Sequence, residues 1–238
     1  MISFFFEKFV LFLDNKSQKK NFNFIIKING NKLPIIFDIG CHKGETLDLI
    51  KKNFFFRKIY AFEPNRELVE KLKVKYKDVY FVDKAVGEKK CKKIYFKSKF
   101  SPINTLKKQN NSSKYLILKK KIISIIYSTN NSVIEEEVDV ISLKTFIRDL
   151  KIKSVDLVKI DTEGYEFQVI NGLGNCLKKI KILLFEHHYD DSLIKNYKFS
   201  DINLLLIKSG FKLAFKNKML FRNIYEYIYV NECKFKKI

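Results

Sequence analysis

Three carboxylates fall within six residues in VKIDTEGYEF (158–167): Asp161, Glu163 and Glu166, directly after an apolar run. Clustered carboxylates raise one another's pKa, which suits a proton acceptor, and their oxygens can orient a hydroxyl. A second apolar run, KILLFEHH (181–188), delivers His187 and His188. One imidazole is expected to face the same crevice and the other to pack or meet solvent. Asp161, Glu163 and His187 are therefore the candidate bases or acceptor-orienting groups. Asp161 ends its strand and should point into the crevice. Glu163 should start the next helix, where backbone N–H groups stabilise a negative charge. Glu166, one turn along, is expected on the surface or behind the site. Oxygen and imidazole ligands from Asp161, Glu163, Glu186 and His187 would suit a divalent ion, but the reading adopted has no metal. Lys159, between apolar neighbours, should snorkel or pair with a local acid.

The elements that must position these groups alternate along the chain. LPIIFDIG (33–40), KIYAFEP (58–64), VYFVD (79–83), DLVKID (156–161) and KILLFEHH read as buried strands. GETLDLIKKN (44–53), PNRELVEKLKVKY (64–76), EFQVINGL (166–173) and INLLLIKSG (202–210) read as helices between or after them, with FKLAF (211–215) and IYEYIYV (224–230) as two last strands. Continuous apolar strands alternating with helices predict an α/β fold with a Rossmann-like, doubly wound, mostly parallel sheet and helices on both faces. Residues 88–135 break the alternation and read as a hairpin plus a variable insertion on the same domain. Residues 1–32 form an N-terminal extension to a domain spanning 33–238.

Composition narrows the classes. At 46% apolar, 238 residues can bury a sizeable core, which excludes a disordered chain. The net charge is +21, yet only four of the 47 basic residues are Arg. A nucleic-acid reader leans on Arg for bidentate contacts, whereas AT-rich coding raises Lys, Ile, Asn and Phe together, as here. No specific nucleic-acid partner is expected, although the charge can attract acidic glycans, nucleic acid or anionic lipid. Cys41, Cys91, Cys176 and Cys233 are scattered with no C-x-x-C pair, which argues against a zinc site or disulfide framework and for a reducing, cytoplasmic location. MISFFFEKFVLFLD at the N-terminus is too short an apolar stretch to span a bilayer and is interrupted by Glu7 and Lys8. It should pack on its own domain, with weak peripheral contact to an anionic membrane as the alternative.

Ligands of open α/β sheets bind beyond the carboxyl ends of the strands. There the sequence places Asp38, Glu63, Asp83, Asp161 and Glu186, one acid per strand. The turn D-I-G-C-H-K-G (38–44) bares the backbone at Gly40 and Gly44. Glu63, 25 residues after Asp38, sits where an acid can accept both hydroxyls of a ribose. An acidic crevice beside a glycine turn wants a ligand with hydroxyls and positive charge, and S-adenosyl-L-methionine has a ribose diol, an ammonium and a sulfonium. A nicotinamide dinucleotide would share the ribose acid. It would also want the middle glycine of G-x-G-x-x-G over its pyrophosphate, and that glycine is absent.

FDIGCHKGET, YAFEPN, the AVGE turn (85–88), VDVISL, VDLVKIDTEGYEFQVINGL and ILLFEHH occur in this order over about residues 34–188. In them the chain resembles the FkbM family of methyltransferases, the K-I-D-x-E-G-x-E block being the most diagnostic. The resemblance implies the class I methyltransferase fold with a seven-stranded sheet. It also implies O-methylation of a hydroxyl on a sugar, glycan or natural product, a form of polysaccharide or small-molecule modification. By resemblance, Asp38, Gly40 and Gly44 hold the methionine end of the donor, with His42 and Thr46 in the same turn. Glu63 holds the ribose, with Pro64 and Asn65 beside it. Asp83, Lys84 and Ala85 flank the adenine, and Asp161 lies nearest the methyl. Two departures stand out. Cys41 and His42 replace a small residue followed by Asn, and Ser142, Leu143 and Lys144 replace T-L-D. A nucleic-acid methyltransferase and a binding module without activity remain the alternatives, the first lacking an N-P-P-Y-type motif and the second at odds with the intact donor acids.

Overall fold

The computed structural model describes residues 2–98, 104–127 and 133–235. The central sheet has seven strands in the order β3-β2-β1-β7-β8-β10-β9. These are β1 (Ile35–Ile39), β2 (Lys58–Phe62), β3 (Val79–Val82), β7 (Val155–Ile160), β8 (Ile180–His188), β9 (Phe211–Lys218) and β10 (Ile224–Asn231). β10 is antiparallel to both neighbours, and the other pairings are parallel. The strand order reverses between β1 and β7, which makes the carboxyl ends of these two strands the place for a ligand crevice.

Period-two alternation splits each strand between two cores. Phe37, Val158, Ile160, Leu183 and Phe185 face one side, under α5 (Leu143–Asp149), α6 (Glu166–Asn171) and α7 (Phe199–Lys208). Ile36, Ile59, Leu157, Ile182 and Ile228 face the other, under α1 (Ile2–Asn29), α2 (Glu45–Asn53) and α3 (Arg66–Lys75). The helices start on local chemistry. Asn65 caps α3 by accepting from the Glu67 N–H at 3.2 Å, so the helix starts at Arg66, two residues later than the proline at 64 suggests. Glu45 and Asp48 in the first turn of α2 and Lys51 and Lys52 in its last turn complement its dipole. Ser142 caps α5 through the Thr145 N–H, so the departure at 142–144 preserves the helix start.

Two parts carry more structure than the sequence reading, which expected a hairpin with an insertion over 88–135 and an N-terminal segment packed on its own domain. The segment after β3 forms a separate three-stranded sheet, β4 (Ala85–Val86), β6 (Val133–Ile141) and β5 (Cys91–Ser98). Between β5 and β6 the chain builds α4 (Lys114–Tyr127). The STNNS stretch at 128–132 lies outside the described residues. The second surprise is α1, whose later half docks on the sheet. Phe22 and Ile25 are fully buried, Phe22 meets Phe54 edge-on at 5.2 Å, and Phe24 stacks on Phe215 at 4.6 Å. Ser17, Gln18 and Asn217 donate to the buried Glu226 of β10. The side chains of residues 2–11, on which the membrane-contact expectation rests, lie outside those described. No helix among the described residues is long and apolar enough to cross a membrane.

Candidate active site

β1 ends in a turn that no side chain could occupy. Gly40 has φ +80°, and a Cβ there would lie 1.9 Å from the Asp161 carbonyl oxygen. The missing side chain lets the ends of β1 and β7 close together at the switch point. His42 follows at φ 49°, a left-handed backbone that His tolerates better than most residues. Its N–H donates to Glu63 Oε2 at 3.1 Å, and its ring lies 3.1 Å from Glu45. The unusual residue at position 42 therefore keeps the backbone of the turn. Gly44, also left-handed, caps α2 and makes room for the Tyr76 ring, which a Cβ would meet at 2.8 Å.

One cavity of about 710 Å³ opens above this turn. Its first half is lined by Gly40, His42, Thr46, Glu63, Pro64, Lys84 and Ala85, with Phe62, Val86 and Leu106 along an apolar wall. Glu63 is almost fully buried, and its carboxylate accepts from the N–H groups of His42 and Asn65 (2.9 Å) and from the Tyr95 hydroxyl (3.4 Å). Burial raises its pKa against those hydrogen bonds. A buried, oriented acid at the tip of β2 is what a ribose diol needs. The glycine cradle, this acid and the apolar wall together fit S-adenosylmethionine.

Four expected donor contacts sit elsewhere. Asp83 is exposed and off the cavity, because β3 ends at Val82 and the chain turns away. Asn65 serves as the α3 cap, and Gly44 as a packing glycine, both outside the lining. Asp38 lies beneath the cavity. It is fully buried, one pleat below Gly40, opposite Lys159 in the β1–β7 register. Lys159 Nζ stands 3.4 Å from Asp38 Oδ1 and 3.2 Å from Asp161 Oδ2. Burial opposes the ammonium, but Asp161 and Asp38 outweigh it and hold Lys159 above its ordinary pKa. Burial pushes the Asp38 carboxyl up against the pull of Lys159.

The second half of the cavity gathers Asp161, Glu163, Glu186 and His188, with Asp14 of α1, Tyr115 and Lys119 of α4, and Arg222 after β9. Asp14 and Arg222 pair at 3.2 Å. Glu163 does not start a helix; it stands in a turn at φ 50°, its carbonyl accepting from Thr105 at 2.6 Å. Glu166 is not on the surface. It is fully buried, and it accepts from the Thr162 N–H (3.2 Å), the Gly164 N–H (3.0 Å), the Thr162 hydroxyl (3.1 Å) and the Tyr197 hydroxyl (2.8 Å). It staples the turn that presents Glu163. Of the four non-glycine residues with positive φ among the described residues, His42, Glu163 and Phe221 line this cavity, the concentration of backbone strain expected at a functional site.

The crevice histidine is His188, not His187. Glu186 and His188 share a face of β8, and alternation sends His187 to the opposite one, among Tyr189, Tyr197 and Phe199. Burial lowers the His187 pKa to about 3, so that ring stays neutral. His188 Nε2 lies 2.7 Å from Glu186 Oε1 and 3.3 Å from Glu163 Oε2, and its Nδ1 lies 3.5 Å from Asp190 Oδ2. Burial disfavours its charge, but Glu186 and Glu163 outweigh burial and raise its pKa well above the ordinary value. Burial, then the Asp161 charge, pushes Glu186 up to about 8. The parity of β8 was the signal that could have selected His188. Asp14 and Arg222 carried no local signal.

The sheet order with a single antiparallel strand, the glycine turn at the switch point and the acid ending β2 define a class I S-adenosylmethionine-dependent methyltransferase. Residues 38–235 match the family described as Methyltransferase FkbM domain, and the chain belongs to that family. Among solved structures, the FkbM methyltransferase from Methylobacillus flagellatus KT is 12% identical with a TM-score of 0.51. That alignment covers 84% of this chain but 44% of the other, so this chain spans less than half the length of that relative. Magnesium protoporphyrin IX methyltransferase from Synechocystis PCC 6803, with bound SAH, is 9% identical with a TM-score of 0.51, covering 92% of this chain and 84% of the other. At these identities the likeness is one of fold. No curated protein sequence matches the chain.

Proposed function

We propose that the chain transfers a methyl group from S-adenosylmethionine to a hydroxyl of a sugar, glycan or related small molecule. The observation that supports this reading is one cavity whose lining includes Gly40 and Glu63 together with Asp161, Glu163, Glu186 and His188. When bound, the donor supplies an electrophilic methyl carbon. The Gly40–His42 turn lies under its amino-acid end, and Glu63 accepts its ribose hydroxyls. At the other end Asp161 is the proton acceptor or orienting group for the acceptor hydroxyl, with Glu163 and His188 as further hydrogen-bonding partners. Carboxylates and an imidazole are suited to polyhydroxyl acceptors, which present donors in several directions. The cysteines resolved in the fold are all free, which supports a reducing, cytoplasmic setting. Acceptor choice is assigned to α4 and the β9–β10 connection, which supply Tyr115, Leu118, Lys119 and Arg222 to the acceptor half.

The test is transfer of labelled methyl from S-adenosylmethionine to glycan, lipid and nucleic-acid fractions of the source cell. Label in a base-stable ether on glycan or small-molecule hydroxyls is expected. Label confined to nucleic acid would replace this reading with the nucleic-acid one, and binding of donor without transfer to any fraction would leave a binding module.

A further inference from the structure

We propose that Glu163, Glu186 and His188 form a binding site for one divalent metal cation in the acceptor half of the cavity. Their ligand atoms all lie within 4.8 Å of one another. Neighbouring corners of a coordination sphere with bonds of about 2.1 Å are about 3 Å apart. The distances from His188 Nε2 to Glu186 (2.7 Å) and to Glu163 (3.3 Å) bracket that spacing. These groups are not the loose acids of a protein surface. The side chains of His188 and Glu186 are 4% and 10% exposed.

Two further observations fit a cation at this group. His188 Nε2 is buried and faces both carboxylates, and a divalent cation between them would take the place of the proton that now pairs it with Glu186. On the opposite side of the ring, Asp190 faces Nδ1, and Asp190 is itself held by the N–H (3.0 Å) and hydroxyl of Ser192. A carboxylate behind the far nitrogen is the usual support of a metal-ligating imidazole, since it fixes the tautomer that leaves Nε2 free to coordinate. Two carboxylates and one imidazole suit Mn²⁺, Fe²⁺ or Zn²⁺ better than the all-oxygen sets typical of Ca²⁺. All three residues line the cavity, so the remaining coordination positions open toward the acceptor, where neighbouring hydroxyls can enter. The role toward the acceptor rests on the methyltransferase reading; the binding of the cation does not.

The probe is Mn²⁺, titrated into the chelator-treated full chain and followed by calorimetry and by the electron paramagnetic resonance signal of free Mn²⁺. Saturable binding at one site per chain is expected. Glu186→Gln and Glu163→Gln should each abolish it, and Asp190→Asn should weaken it about 10- to 100-fold through the supporting shell. The exposed Glu70→Gln should leave it unchanged. No saturable binding to the wild type, or binding that survives both glutamate substitutions, overturns the proposal. Should Glu186→Gln fail to fold, Asp190→Asn alone decides, since unchanged affinity there also overturns it. Mn²⁺ binding without methyl transfer would count against the proposed function and not against the site; transfer that proceeds fully in the metal-free chain, with no Mn²⁺ bound, would do the reverse.

Discussion

Replacing Lys159 with Met should destabilise the fold more than any substitution at the cavity surface. Lys159 is 3% exposed and reaches two acids, Asp38 at 3.4 Å and Asp161 at 3.2 Å. Asp161 is a third exposed and can turn to water. Asp38 is fully buried and cannot. Methionine fills much of the lysine's volume, so little of the effect is a cavity. What remains is a buried carboxylate without its cation, which costs about 3–5 kcal/mol. For a domain of this size each kcal/mol moves Tm by about 2–4 °C, so a fall of about 6–20 °C is expected. The sign of the pH dependence follows from Asp38. Its folded pKa is already raised and rises further in the variant, so protonated Asp38 is the form the fold accepts. The variant's deficit should be largest near pH 8 and shrink as pH falls through that raised value. The double substitution Lys159→Met with Asp38→Asn should recover about 1–3 kcal/mol relative to additivity. Guanidinium unfolding and thermal scans of the four proteins at pH 8 and pH 5.5 measure all of this. A Lys159→Met Tm within about 2 °C of wild type, or strictly additive substitutions, would refute the idea that this lysine neutralises the floor of the site.

Glu63→Gln should weaken S-adenosylmethionine binding by about 1.5–3 kcal/mol in calorimetry, through loss of charge-assisted hydrogen bonds. Because burial raises the Glu63 pKa and the ionised form is the acceptor, wild-type donor affinity should be full at neutral pH and fall as pH drops through that raised value. Glu63→Gln should flatten this profile. Asp161→Asn should cut kcat by roughly 10²- to 10⁴-fold if it is the general base, with donor Kd changed much less; unaltered kcat would remove it from that role. His187→Phe, on the aromatic face of β8, should keep kcat within a few-fold, and a large loss would mean that the two histidines were assigned to the wrong faces. Glu166→Gln replaces a four-fold acceptor with a mixed group and should cost about 1.5–3 kcal/mol of stability by chemical denaturation, the staple being absent if stability is unchanged.

The strands β1, β2, β3, β7 and β8 were legible because parallel strands covered on both faces read as unbroken apolar runs bounded by glycines and caps. The places of Glu63 and Gly40 at the cavity were legible for the same reason, since each stands at a strand end. The acids behind them were not. A buried carboxylate satisfied by N–H groups, such as Glu166, has the same letters around it as a solvated one. Asp38 reads as a ligand-facing acid until the register sets it opposite Lys159. Asp83 failed because one residue past a strand end the chain can turn either way. The histidine pair was decidable, since placing Glu186 in the crevice already placed His188 there with it. The partner of α1 was beyond reach: Ser17 and Gln18 find Glu226 more than 200 residues away, and no local pattern announces it.

The central claim is that one cavity holds S-adenosylmethionine at Glu63 and presents its methyl to the Asp161 end. A crystal structure of the chain with S-adenosylhomocysteine tests it most directly. The ribose hydroxyls should be within hydrogen-bonding distance of the Glu63 carboxylate, the amino-acid end over the Gly40 turn, and the sulfur directed toward Asp161 and Glu163. A nucleoside bound away from Glu63, or a sulfur directed away from Asp161, would contradict the account.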